Sequence, residues 1–216
     1  YQDINVNQYG RYYLEFYTRH GNIPTPNHEF DFRNSTGKSF IMDTGSDGTD
    51  ISATFMGDAR GSSEGVELDG SGDYVEVTPW LFGGQAITVE VYAYRDSSGS
   101  DNFYRLFGFS GDKNGQLPIS GNPDEWGTNG NREAFNLCAF AEHTDIIFNS
   151  WDGRDRESVY QNGVWISSKW IHIVGTIKPN RYGGNMKLYI DGAYVPENNM
   201  YGHLPNSKKR TRHLVG

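Results

Sequence analysis

Cysteine is almost absent from this chain, since Cys138 is the only one among 216 residues. A single cysteine excludes an intrachain disulfide, so the fold must be held by its own hydrophobic core, which a chain of this length can supply. Cys138 lies within the apolar run 135–140 (FNLCAF). We therefore expect a buried, unreactive thiol there.

Long hydrophobic runs are also absent, and basic charge is scarce. No window approaches the roughly 18 apolar residues that a membrane helix needs, so no membrane insertion is expected. The net charge is −8, and so acidic a chain is a poor candidate for binding nucleic acid, because phosphate contacts require basic side chains. The one basic cluster, residues 208–213 (KKRTRH), is interpreted as a solvated loop or edge cluster, with a phosphate or anionic-glycan patch as the alternative.

Helical periodicity is nearly absent, and the pattern that remains is typical of β-strands. In residues 86–94 (AITVEVYAY) apolar and polar or aromatic residues alternate, which predicts a strand with one buried face. Asp191-Gly192 separates two such runs and predicts a tight hairpin, because both turn residues tolerate positive φ. The other candidate strands are residues 12–17, 29–32, 66–68, 74–77, 103–109, 135–140, 146–150, 170–177 and 186–190.

About eleven strands without a helical linker predict one antiparallel sandwich of two packed sheets, which we place at residues 28–216. Residues 1–27 carry Asn, Tyr and Pro and are interpreted as a strap or leader on that sandwich. Residues 111–132 are rich in Gly, Asn, Asp and Pro. We expect a long loop there, of the kind that often carries function.

Two segments resemble one known family: residues 65–77 (GVELDGSGDYVEV) with the strand 87–94, and residues 170–176 (WIHIVGT) with 187–195 (KLYIDGAYV). Their order and spacing are similar to the laminin-G-like and pentraxin-like branch of the concanavalin-A-like sandwich superfamily. Residues 29–32 (EFDF) resemble its opening strand. The resemblance implies an all-β, antiparallel jelly-roll β-sandwich.

The resemblance also implies a final strand that pairs beside the first one, and the chain stops at Gly216, before such a strand. We expect one of two explanations. Either the chain is a fragment that lacks its last strand, or residues 12–17 (YYLEFY) take that position. An apolar sheet edge left open would promote aggregation.

Relatives of this type often hold calcium in loops at one end of the sandwich, and pentraxin-like members use an Asp-Asn pair before a strand. Asp101 and Asn102 stand in the comparable place, so the resemblance implies a calcium site there. The acidic residues that complete it would lie beyond Gly216, and the alternative is a solvated loop. The Asp-rich turns at 43–50 and 152–155 are equally open to calcium, which needs several oxygen ligands.

Sugar binding needs an exposed aromatic platform with planar polar groups around it. Trp126, Trp151, Asp152 and Arg154 lie in loop-like contexts and are the candidate ligand-binding residues. The alternative is that Trp126 anchors its own loop and that Trp151 caps the core, because tryptophan is usually well buried.

Catalytic motifs are not found. Glycoside hydrolases built on the same sandwich present paired carboxylates from one strand, and the nearest stretch here, residues 64–69 (EGVELD), has no third acid in register. There is no nucleophile elbow, metalloprotease helix or phosphate loop. His172 is expected to pack and form hydrogen bonds within the sandwich. We therefore expect that the chain is not an enzyme.

The expected function is that of a non-catalytic binding module, which recognises a glycan or protein ligand through end loops or a concave sheet face. The alternative is a structural module that contacts neighbouring subunits of a larger assembly, and fold alone does not separate the two. The sequon Asn34-Ser35-Thr36 is a candidate glycosylation site. We expect an extracellular or cell-surface location, with an organellar lumen as the alternative.

Overall fold

A computed structural model describes residues 12–13, 26–69, 72–95, 103–112, 132–140, 144–151, 156–181, 184–196, 201–202, 204–205, 207–209 and 212–215. Its strands are β1 Tyr12–Tyr13, β2 Glu29–Phe30, β3 Phe40–Met42, β4 Ser52–Met56, β5 Arg60–Gly61, β6 Val66–Glu67, β7 Tyr74–Val77, β8 Leu81–Phe82, β9 Ile87–Arg95, β10 Phe103–Asp112, β11 Arg132–Phe140, β12 Asp145–Trp151, β13 Arg156–Gln161, β14 Lys169–Lys178, β15 Gly184–Ile190, β16 Ala193–Tyr194, β17 Tyr201–Gly202, β18 Lys208–Lys209 and β19 Arg212–Val215. The described residues contain no helix that is long and apolar enough to cross a membrane.

The strands form two main sheets that pack against each other. One is seven-stranded, in the order β16-β15-β14-β9-β1-β2, with β17 also paired to β15. The other is eight-stranded, in the order β13-β12-β11-β10-β19-β7-β4-β3. All pairings between described strands are antiparallel. The predicted all-β antiparallel sandwich is confirmed.

The alternation of side chains explains how the seven-stranded sheet forms one wall of the core. The residues of β9 and β14 that point toward the other sheet are buried: Ile87, Val89, Val91, Ala93, Ile171, Ile173 and Ile177. Burying each large aliphatic side chain stabilises the fold by about 1.5–3 kcal/mol. Because successive residues of a strand face opposite sides, the residues between them form the outward face of the sheet.

The hairpin predicted at Asp191-Gly192 is confirmed. These two residues connect β15 to β16 and have φ values of 48° and 79°. The turn therefore needs left-handed backbone at both positions, which Asp tolerates and Gly adopts freely.

The two sheets approach each other closely at a glycine. Gly175 of β14 faces the ring of Phe148 of β12, and a Cβ atom at this position would lie 2.8 Å from two ring carbons. Phe148 is fully buried, so its ring has no room to move away. Gly175 therefore sets the spacing between the sheets at this point.

The N-terminal part of the chain contributes to the seven-stranded sheet. Tyr12 and Tyr13 of β1 pair on one side with β2 and on the other with β9. Just before β2, Nδ1 of His28 lies 2.6 Å from Oδ2 of Asp43, and Oδ1 of Asp43 accepts the backbone N–H groups of Glu29 and Gly45. This buried pair ties the start of the sandwich to the loop that follows β3.

Two sequence interpretations need correction. The basic cluster at 208–213 is not simply a solvated loop, because β18 and β19 include four of its six residues and His213 is fully buried. His213 stacks on Phe109, with ring centroids 4.1 Å apart, and meets Trp80 edge-on.

The expected loop at 111–132 is shorter at both ends, because β10 extends to Asp112 and β11 begins at Arg132.

Candidate functional site

The outward face of the seven-stranded sheet carries four rings in a row, which we call the aromatic ladder: His172, Tyr92, Trp170 and Tyr94. β14 and β9 contribute them alternately, because Trp170 pairs with Tyr94 and His172 with Tyr92 in the strand register. The Tyr92 and Trp170 rings are stacked, with centroids 5.0 Å apart and planes 5° apart. Tyr94 lies 5.4 Å from Trp170, and His172 lies 6.3 Å from Tyr92. Such cross-strand aromatic pairs stabilise a sheet.

A polar pair lies beside one end of the aromatic ladder. Nε2 of His172 is 2.5 Å from Oε1 of Glu90, and the Glu90 side chain is almost entirely buried. The other carboxylate oxygen, Oε2, has no hydrogen-bond partner. His172 thus packs and forms a hydrogen bond as the sequence predicts, and it supplies the only described partner of a buried carboxylate.

Asp191 joins this face from the hairpin after β15. Its Oδ1 accepts the backbone N–H of His172 at 3.0 Å, and its Oδ2 lies 2.9 Å from Nζ of Lys169. Burial alone would raise the pKa of Asp191, but the His172 N–H and the Lys169 ammonium outweigh it and lower that pKa below its usual value. Burial, with a smaller contribution from the charge of Asp191, raises the pKa of Tyr92.

Two more rings extend the aromatic surface toward the sheet edge. Tyr189 of β15 and Tyr194 of β16 are paired in the register, with centroids 5.4 Å apart. Nζ of Lys187 lies 5.5 Å from the centre of the Tyr194 ring, within the range of a cation–π contact. Tyr94 and Tyr194 are both exposed, so the outward face offers aromatic surface to solvent.

Carboxylates are clustered at a different place, around the turn between β6 and β7. Asp58, Asp69 and Asp73 each offer an oxygen within 4.8 Å of the others. The backbone N–H of Asp69 also donates to Oδ2 of Asp73. This bond ties Asp69 to Asp73 through a side-chain acceptor.

Most of the predicted site residues lie outside the described residues: Trp126, Asp152, Arg154, Asp101 and Asn102. Trp151 is the last residue of β12 and pairs with Ala134 and Arg156 in the register. Asp101 and Asn102 precede β10, whose first residue Phe103 lies at the other end of the sheet, beside the start of β12. The strand end beside the predicted calcium site and the strand end that carries Trp151 of the predicted ligand-binding site are therefore at opposite ends of the sandwich.

The predicted glycosylation site begins on an exposed turn. Asn34 is exposed and has a φ of 55°, in the left-handed region that asparagine tolerates. Ser35 is fully buried, and its hydroxyl donates to the carbonyl of Gly65 at 3.3 Å. Thr36 is exposed. Attachment of a glycan at Asn34 stays a prediction.

The aromatic ladder was missed as a site from the sequence. Tyr92, Tyr94 and Trp170 were assigned to strands, but nothing predicted that they stack on one another. A signal was present: the outward positions of β9 carry tyrosines where a solvated face usually carries short polar or charged residues.

Comparison with known proteins bears on the fold. A laminin G family model, described as the concanavalin A-like lectin/glucanases superfamily, matches residues 69–216, which is more than half of the chain. The chain belongs to the concanavalin A-like lectin/glucanase superfamily. The suspected family and the jelly-roll fold are thus confirmed, and no curated protein matches the chain.

One solved structure that resembles this member of the superfamily is the β-glucanase of Bacillus licheniformis. The two chains are 10% identical, the likeness covers 97% of this chain and 80% of the glucanase, and the TM-score is 0.41. At that level the likeness carries no argument about activity.

Proposed function

We propose that this chain is a non-catalytic binding module that recognises a glycan on the outward face of its seven-stranded sheet. The aromatic ladder is the observation that carries the proposal. Tyr and Trp present apolar ring surface together with a polar tip, which suits the mixed apolar and hydroxyl-bearing surface of a sugar. Tyr94, at one end of the ladder, is 46% exposed and is the ring best placed to contact a ligand.

The charges on this face favour an uncharged ligand. Glu90 faces His172, and Lys169 faces Asp191, so each carboxylate has a basic partner at hydrogen-bond distance. Lys187 lies over the Tyr194 ring on the same face, so the two carboxylates are matched by two lysines and little net charge remains to attract an ionic ligand. The polar tips of Tyr92, Tyr94 and Trp170 remain as groups that can form hydrogen bonds with hydroxyls.

The ionisation of Asp191 and the burial of Glu90 favour binding without catalysis on this face. A glycoside hydrolase needs one carboxylic acid whose pKa is raised so that it can protonate the leaving group. Folding lowers the pKa of Asp191, so this side chain is ionised at neutral pH. Glu90 is almost entirely buried against His172. Asp191 therefore does not suit the part of a general acid, and Glu90 has little surface open to a substrate.

Calcium at Asp101 and Asn102, and ligand contacts from Trp126, Trp151, Asp152 and Arg154, stay predictions. Loops at the ends of the sandwich are compatible with a glycan that also contacts the sheet face. An extracellular or cell-surface location, with an organellar lumen as the alternative, belongs to the same proposal.

The experiment is a glycan array probed with the purified, folded chain in calcium and again with a chelator. Binding that survives chelation supports the aromatic ladder as the site. Binding that the chelator abolishes would make Asp101 and Asn102 the first residues to substitute. A blank array with folded protein would contradict glycan recognition.

A second candidate function, that of an assembly module, has one observation in its favour. Phe40 and Met42 of the edge strand β3 are 51% and 48% exposed, on the same face of the eight-stranded sheet. Exposed apolar side chains on an edge strand are a typical contact surface for another chain. This alternative predicts that the purified chain associates in analytical ultracentrifugation and that Met42→Lys abolishes the association.

A further inference from the structure

A second group of rings lies on the outward face of the seven-stranded sheet, apart from the aromatic ladder. It consists of Tyr189 of β15 and Tyr194 of β16, and we call it the edge pair, because β16 lies at an edge of that sheet in the described part of the chain. Leu188 and Ile190 are buried in the core, so Tyr189 between them points outward. The two rings of the edge pair are 5.4 Å apart, and Tyr194 is 37% exposed.

The strand register fixes where the edge pair lies relative to the aromatic ladder. Tyr189 pairs with Val174 of β14. Trp170 lies four residues before Val174 in β14 and pairs with Tyr94 of β9. At a rise of about 3.4 Å per residue, the edge pair is about 14 Å from the Trp170–Tyr94 end of the ladder along the strands. Tyr194 lies a further two strand spacings from β14, about 10 Å across the sheet.

The surface between the two aromatic groups carries a polar ring. His172 lies between Trp170 and Val174 on the outward side of β14, midway along the strand between the two groups. Its side chain is 34% exposed. Glu90 engages Nε2 of His172, which leaves Nδ1 for another partner. Such a ring nitrogen can form a hydrogen bond with a hydroxyl, because a hydroxyl both donates and accepts.

This separation excludes a single sugar ring as the ligand of both groups. A pyranose ring is about as wide as the spacing between two strands, roughly 5 Å, so it reaches only one of them. An aliphatic chain could cover the rings of both groups, but it would leave the half-buried His172 without a hydrogen bond. A linear chain of sugars repeats apolar ring surface and hydroxyls along its length, and therefore suits both groups and the histidine between them.

The charges on the same path favour neutral sugars. Lys187 lies over the Tyr194 ring at one end, and Lys169 pairs with Asp191 near the other. With the buried carboxylate of Glu90, the face carries two lysines and two acidic side chains. Little net charge is left to select an acidic or a basic sugar.

We propose that the aromatic ladder and the edge pair are the two ends of one extended site, which binds a linear neutral oligosaccharide diagonally across β9, β14, β15 and β16. The ligand is held by the inner units of its chain and passes His172 between the two ends. This inference rests on the proposed function, because it names the class of glycan that the outward face takes and gives a role to Tyr194.

The test is isothermal titration of the folded chain with matched neutral sugars of two lengths. The probes are cellobiose with cellotetraose, maltose with maltotetraose, and mannobiose with mannotetraose. We expect at least one tetrasaccharide to bind one molecule per chain, about tenfold or more tighter than its disaccharide, because only the longer chain contacts both ends.

Substitutions at the two ends should affect the two lengths differently. Tyr194→Ala should weaken binding of that tetrasaccharide about tenfold and leave the disaccharide unchanged, whereas Tyr94→Ala should weaken both. Tyr194→Phe keeps the ring and should keep most of the affinity. The matched control is Tyr160→Ala, which removes a tyrosine that is 44% exposed on the other sheet. Circular dichroism checks that each variant is folded.

The outcomes separate the extended site from the proposed function. Tetrasaccharides that bind no tighter than their disaccharides, in a chain that binds the glycan array, would overturn the extended site and leave the proposed function standing. An unchanged tetrasaccharide affinity in Tyr194→Ala, or more than one tetrasaccharide bound per chain, would do the same. A blank array together with no binding of any probe would overturn both.

Discussion

Nε2 of His172 lies 2.5 Å from Oε1 of Glu90, across the pairing of β14 with β9. Glu90 is almost entirely buried, and Oε2 of the same carboxylate has no partner. Without His172, the buried Glu90 carboxylate on the candidate binding face would have no hydrogen-bond partner among the described residues.

Removing only the His172 side chain should destabilise the folded protein. We expect His172→Ala to lower the free energy of unfolding by about 1–3 kcal/mol, because the Glu90 carboxylate would then be buried without a partner. The double variant His172→Val, Glu90→Val should recover much of that loss, because neither buried polar group remains. Urea denaturation of wild type, His172→Val, Glu90→Val and the double variant measures this, and losses that simply add would contradict the pairing.

A methyl group at Gly175, where the two sheets approach closely, should destabilise the sandwich. Gly175→Ala places a Cβ atom 2.8 Å from the fully buried ring of Phe148, and we expect a loss of about 1–3 kcal/mol in the free energy of unfolding. The matched control is Gly65→Ala, where a Cβ atom meets nothing within 4 Å. Equal stability of the two variants in thermal or urea denaturation would show that the sheets are not packed as described.

Asp191 should make a pH-dependent contribution to stability. Folding lowers its pKa below the usual 3.8, so its contribution is present above that value and is lost as pH falls through the lower folded pKa. Asp191→Asn keeps a residue that tolerates positive φ and removes the charge. The expected loss at neutral pH is below about 1 kcal/mol, because the ion pair with Lys169 is partly exposed.

The measurement for Asp191 is urea denaturation of wild type and variant at a series of pH values. The stability difference should be constant near neutral pH and should close at acid pH below the usual carboxyl pKa. A difference that stays the same down to about pH 2 would mean that the charge of Asp191 is not its cause.

The strands that sequence reasoning found are those with a local signal. The alternation in residues 86–94 located β9 to within one residue at each end, and Asp-Gly located the β15–β16 hairpin, because both signals depend only on neighbours in the chain. β3, β4, β13 and β19 were missed, as were the two-residue strands β5, β8, β17 and β18. Their stretches are short or polar, such as Arg156–Gln161 (RESVYQ), and they become strands through their partners in the sheet.

The candidate site was harder to predict than the fold. The stacking of Tyr92 on Trp170 depends on the register between strands that lie far apart in the chain, and no local pattern reports that register. His213 is a similar case. Its basic neighbours indicate a solvated segment, but stacking on Phe109 and Trp80 places it in the core.

Glycan binding at the aromatic ladder can be tested by comparing two tyrosines of nearly equal exposure. Tyr94 on the ladder is 46% exposed, and Tyr160 on β13 of the other sheet is 44% exposed. The measurement is isothermal titration of the best neutral oligosaccharide from the array into wild type, Tyr94→Ala and Tyr160→Ala. Tyr94→Ala should weaken binding about tenfold or more, while Tyr160→Ala should leave it unchanged. Unchanged affinity in folded Tyr94→Ala, or an equal loss in both variants, would contradict it.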